Sequence, residues 1–94
     1  MRAMTEADLR MSYSRARAAE RRLAAIEETA LPRLRETVTS AMAAYVSGSA
    51  DFLALLESTL ALRNLEMERV RAVVGHENAR FELSRLLGGA LENP

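Results

Sequence analysis

The chain of 94 residues has no cysteine and no tryptophan. Without cysteine there is no disulfide framework and no thiolate metal site. Glycine is also scarce: Gly48 is the single glycine of the first seventy residues, so no glycine-rich phosphate loop can be drawn. Charge of one sign is missing too. Thirteen basic and thirteen acidic residues cancel, which argues against a nucleic-acid partner held by a broad basic face. The longest uncharged run lies around the middle of the chain and falls far short of the roughly 20 apolar residues that span a bilayer. Met1-Arg2-Ala3-Met4-Thr5-Glu6 leads into charged helix rather than an apolar signal core. Nothing in the sequence is expected to export or anchor the chain.

What is present is helix composition, rich in alanine and leucine, with Tyr13, Tyr45, Phe52 and Phe81 as the aromatic set. The reading is an all-α chain, a long antiparallel helical hairpin of coiled-coil character, organised around Tyr45-Val46-Ser47-Gly48-Ser49-Ala50-Asp51-Phe52-Leu53. Glycine reaches positive φ without a Cβ clash and commonly ends a helix just past its C-cap. Ser49 or Asp51 can accept from the free N–H groups of the next helix, and Asp51 suits the positive end of its dipole. The expected layout is a first helix over 5–47, a turn at 48–50, a second helix over 51–87 and a tail over 88–94. At 1.5 Å per residue each arm would reach roughly 55–65 Å, a rod rather than a globule.

Along the first arm, Thr5-Glu6-Ala7-Asp8 has the form of a capping box with Asp8 in the place of glutamate. Leu9, Tyr13, Ala16, Ala19, Leu23, Ile26 and Ala30 then recur at spacings of three and four. Pro32 removes one helical hydrogen bond and disfavours helical geometry at Leu31, so a kink is expected over about 28–32. Leu34, Val38, Met42 and Tyr45 carry the stripe onward. In the second arm Leu53, Leu56, Leu60, Met67, Val70, Val74 and Phe81 form the main stripe. Phe52, Leu55, Leu62, Leu65 and Val73 flank it. Gly75 costs about 1 kcal/mol against alanine inside a helix, and Gly88-Gly89 is expected to end the arm.

Chemistry is thinly represented. His76 is the single histidine. Val73 stands where a di-iron Glu-x-x-His motif needs glutamate, so His76 reads as a solvated helix-face residue. Of the five methionines, Met1 and Met4 are terminal and the others are scattered, which fits gap-filling better than soft-metal binding. Glu66, Glu68, Glu77 and Glu82 stand near Arg69, Arg71, Arg80 and Arg85 at spacings that support an exposed helix. No metal or cofactor is expected, and no nucleophile–base trio suggests an enzyme. The turn is different. Tyr45, Val46, Phe52 and Leu53 place bulky apolar groups where a purely structural turn would be polar, which suits a tip that docks end-on with another helical protein.

The run Ala30-Leu31-Pro32-Arg33, followed by Ala43-Ala44-Tyr45-Val46-Ser47-Gly48-Ser49-Ala50-Asp51-Phe52-Leu53-Ala54-Leu55-Leu56-Glu57-Ser58, resembles the periplasmic hairpin of TolC-family outer-membrane efflux proteins. Those chains show leucine-proline, a tyrosine three residues before a glycine, an Asp-Phe-Leu-x-Leu-Leu run and a helix closing in leucine-glycine, here Leu87-Gly88. The likeness covers about residues 30 to 89, nearest to the heavy-metal and cation efflux branch; residues 5 to 29 fit as generic helix. It implies a homotrimeric full-length protein with a membrane β-barrel and a helical tunnel. Hairpin tips would line the periplasmic entrance and meet a periplasmic adaptor linked to an inner-membrane pump. Tyr45, Val46, Gly48, Ser49, Asp51, Phe52 and Leu53 would form the adaptor-binding tip. Glu57 would fall at the tunnel entrance, where family members often carry aspartate. Ala50 and Ala54 fall where some members have a basic and an acidic gating residue, so that polar gate is not reproduced. With one hairpin and no strands, the chain would be a tunnel fragment, expected to self-associate when isolated. The alternative is a small secreted hairpin interaction protein of the WXG type. That type carries a tryptophan before its turn glycine, whereas Val46 and Ser47 precede Gly48 here.

Overall fold

A computed structural model describes residues 5–92, with side-chain surroundings over 5–89. Every regular element among them is helical: α1 over Glu6–Ala25, a π turn over Ile26–Ala30, α2 over Leu31–Val46 and α3 over Phe52–Glu92. The protein is an all-α helical hairpin that reverses direction between α2 and α3. Contacts divide it into two compact units, one formed by 1–23 with 72–94 and the other by 24–71.

In the first unit, α1 begins with the expected capping box. The Asp8 N–H donates to Thr5 Oγ1 at 3.1 Å and the Thr5 N–H donates to Asp8 Oδ2 at 3.3 Å. Two orphan donors of the helix start are thereby satisfied reciprocally. Small side chains make the inward face: Ser12 and Ala16 on α1 and Ala72 on α3 are buried, with Ala19 and Ala79 half-buried. Such residues let helix backbones approach closely, and contribute little apolar area each. Arg15 of α1 reaches Glu82 of α3 at 3.9 Å. Both side chains are largely exposed, so the pair is worth under about 1 kcal/mol.

The second unit holds larger core residues. Ile26, Leu31 and Leu55 are buried, and Leu34, Val38, Leu62 and Leu65 are half-buried around them. Burying a leucine or isoleucine side chain contributes about 1.5–3 kcal/mol. Arg69 of α3 donates through Nε to Glu27 at 2.8 Å, tying α3 to the π turn. Glu82 and Arg69, expected to pair along their own helix, thus pair with the first arm instead.

The break in the first arm falls where Pro32 demands it. The Leu31 N–H donates to the Ile26 carbonyl, five residues back rather than four, and Pro32 sits in the first turn of α2, where its missing N–H is least costly. The wider turn takes up one extra residue. Inward positions run Ser12, Ala16, Ala19, Leu23 and Ile26 at the ordinary alternation of four and three, then resume at Leu31, Leu34, Val38 and Ala41. A continuous α-helix would have turned Ala30 inward in place of Leu31.

Three expectations are corrected. The inward face of α3 is not the main stripe read from the sequence. Leu55, Ser58, Leu62, Leu65, Arg69 and Ala72 face the first arm, whereas Leu53, Leu60, Met67, Val70, Val74 and Phe81 are exposed. Two apolar rows run along this helix, and the row with β-branched and aromatic members is the outer one. His76 belongs to the inner row, 18% exposed with Nδ1 at 3.8 Å from Glu77, rather than to a solvated face. Finally, α3 continues through Gly88 and Gly89 to Glu92, because no residue there takes positive φ and the ladder is uninterrupted. Met1, Met4, Asn93 and Pro94 lie outside the described residues.

Candidate functional site

The turn lies wholly within the second unit. Helix α2 closes at Ser47, φ −79° and ψ −6°, followed by Gly48 at φ +82°. The Ser49 N–H donates to the Ala44 carbonyl at 2.9 Å and the Gly48 N–H to Tyr45 at 3.1 Å. These are the paired bonds of a Schellman closure, which needs a left-handed residue in the position Gly48 fills. The hydroxyls of Ser47 and Ser49 lie 3.1 and 3.2 Å from the same Ala44 carbonyl and 3.1 Å from each other. They compete with the backbone donors for its two lone pairs. Two residues on, Asp51 caps α3: its Oδ1 accepts from the Ala54 N–H at 3.0 Å. The choice left open between Ser49 and Asp51 is therefore made, with Ser49 finishing one helix and Asp51 starting the next.

This backbone holds the apolar groups outward. Val46 is 77% exposed, Leu53 58%, Phe52 55% and Tyr45 44%. The Tyr45 and Phe52 rings pack across the turn with centroids 5.8 Å apart and planes tilted by 57°. Tilted aromatic pairs of this kind add about 0.5–1.5 kcal/mol beyond the area they bury. The two rings thus make one preformed apolar platform flanked by Val46 and Leu53. All seven residues read as a tip are brought together at the turn. Glu57 lies exposed in the second turn of α3, and Ala50, within the loop, is half-buried.

Sequence reasoning missed Met42 and Leu56, 49% and 39% exposed, which extend the apolar surface down both helices from the tip. Met42 had been assigned to the inward stripe. Ala41, three residues after Val38, takes the inward place instead and is half-buried, while Met42 stands on the exposed side.

The first unit carries an open groove of about 520 Å³ lined by Leu9, Arg10, Tyr13, Ser14, Leu83 and Leu87. Its one charged group, Arg10, is held by Glu6 at 2.8 Å, and the lining brings no nucleophile together with a base. Among the described residues no group of three histidine, aspartate or glutamate side chains could hold a metal ion. No helix there is long and apolar enough to cross a membrane.

No protein-family model, curated protein or solved structure matches this chain.

Proposed function

We propose that the chain is a segment of the periplasmic helical tunnel of a TolC-like outer-membrane efflux channel, and that its tip docks with the hairpin of a periplasmic adaptor protein. One observation carries the reading: at the reversal of a helical hairpin, where polar residues would be cheapest, Tyr45, Val46, Phe52 and Leu53 stand exposed on the two helix ends that flank a hydrogen-bonded loop. Exposed apolar clusters of this kind mark protein contacts. The spacing of Leu31-Pro32, Tyr45, Gly48 and Asp51-Phe52-Leu53 supports the same assignment, as does the outer apolar row of α3, which neighbouring tunnel helices would cover. On this reading the chain is a passive conduit part, a recognition element without chemistry of its own.

The test is titration of the 94-residue chain against the α-hairpin domain of adaptors from tripartite efflux systems, with Gly48→Pro and Tyr45→Asp alongside. Proline cannot adopt the +82° φ of Gly48, loses the N–H donated to Tyr45, and disfavours the helical geometry of Ser47. Aspartate at Tyr45 removes one ring of the platform while the helix stays intact. Both variants are expected to bind at least roughly tenfold more weakly, the loss of about 1.4 kcal/mol of contact. Equal binding by all three proteins removes the proposal. Far-ultraviolet circular dichroism on each protein separates loss of the tip from loss of the fold.

A further inference from the structure

The outer row of α3 has chemistry that identifies an occupant. In the second unit it consists of Leu53, Leu56, Leu60, Met67 and Val70, spaced by three and four, with Arg63 in the one remaining position of the series. That is the spacing of a coiled-coil seam. It lies on the side of the helix away from the first arm, so α3 has one seam filled and a second open. Four charged residues on or beside this second seam, Glu57, Arg63, Glu66 and Arg71, are exposed and have no ion-pair partner among the described residues.

We infer that the open seam is an interface for a second copy of this chain, paired antiparallel about a two-fold axis at the level of Leu65. Orientation follows from the charges. A parallel, in-register pair would set Arg63 against Arg63 within the seam, an arrangement disfavoured by repulsion and desolvation. An antiparallel pair with Leu60 opposite Val70 and Met67 opposite Arg63 places Glu57 of each copy on the same side as Arg71 of the other, within about 3 Å, two residues' rise, of its level. In the same register Arg63 of one copy stands within about 1.5 Å, one residue's rise, of the level of Glu66 in the other. Glu57 and Arg71 then pair twice, and each Arg63 stands beside a Glu66, offsetting the approach of the two Glu66 carboxylates. Leu60 is covered by Val70, Met67 packs against the Arg63 stem, and the two Asn64 side chains lie about 3 Å apart along the axis. Charges beside a coiled-coil seam set orientation and partner choice in this way. The inference concerns the chain by itself and does not rest on the efflux reading.

Sedimentation of the full chain over a concentration series is expected to show a monomer–dimer equilibrium. Leu60→Glu, at a site already half exposed, keeps the helix content and weakens the dimer by roughly a hundredfold. Glu57→Arg weakens it by roughly tenfold, through two symmetric contacts turned repulsive, and Glu57→Arg with Arg71→Glu restores it. Because the chain has no cysteine, orientation can be read directly. Asn64→Cys links two copies through a short bismaleimide, whereas Glu57→Cys, with its equivalents about 24 Å apart along the axis, does not. Linkage of both variants would mean parallel pairing and overturn the inference. So would a monomer at every concentration, a dimer indifferent to Leu60→Glu, or a charge reversal that the double exchange fails to rescue.

Discussion

Gly48 shows how much one backbone angle decides. At φ +82° an added Cβ meets no neighbouring atom within 4 Å, so space is not the constraint. The cost of a side chain there is the left-handed conformation itself, about 1–2 kcal/mol for an L-residue. Gly48→Ala is therefore expected to lower stability by about that amount in a urea titration, with the m-value unchanged. Gly75→Ala, inside α3 with open space around its Cβ, should move the other way by up to about 1 kcal/mol through helix propensity. If the two substitutions shift the midpoint alike, the left-handed strain at Gly48 is not what the turn depends on. Asp51→Ala removes the cap on Ala54 and is expected to cost about 0.5–2 kcal/mol in the same measurement. These residues were readable beforehand because their roles are local: a capping side chain or a positive φ leaves its mark within four residues of sequence.

Elements were less legible where two parts of the chain had to be compared. Two apolar rows share α3, and the row with the larger and more exposed members looked like the buried one. What decides between them is the first arm, whose small residues Ser12, Ala16 and Ala19 match the inner row around Ala72 and Ala79. The π turn was foreseen only as a kink, since Pro32 announces a disturbed hydrogen bond without saying whether a residue is gained. Its function in the fold is phase correction, and that can be tested. Deleting Thr29 together with Pro32→Ala removes the extra residue and the cause of the wide turn. Leu31, Leu34, Val38 and Ala41 then follow Ile26 in ordinary α-helical phase. The double change is expected to leave the melting temperature unchanged or raised. Deleting Arg35 instead moves Val38 and Ala41 off the inner face and should cost about 2 kcal/mol or more, by exposure of the valine and loss of its neighbours' cover. Equal destabilisation by the two deletions would mean that the π turn is not a phase correction.

At the scale of the whole molecule the chain is under-filled. Among the described residues no side chain is fully buried, while fourteen large apolar residues stand exposed. A small domain with so thin a core is marginal unless something else covers its surface. Association supplies that cover by mass action: a species that dimerises when folded and not when unfolded gains stability with concentration. The melting temperature of the wild-type chain should accordingly rise as protein concentration rises, by several degrees over a hundredfold range. Leu60→Glu should flatten that dependence toward the value of the dilute protein. Tyr45→Asp, at the tip and away from the Leu60–Val70 seam, should leave the slope in place even where it removes adaptor binding. Leu53 and Leu56 belong to both surfaces, but the Tyr45–Phe52 platform and the Leu60–Val70 part of the seam thereby answer to different variants, one through a foreign hairpin and the other through the chain's own copies. A melting temperature independent of concentration in the wild type would place the stability of the fold within the single chain and leave the outer row of α3 without a thermodynamic role in solution.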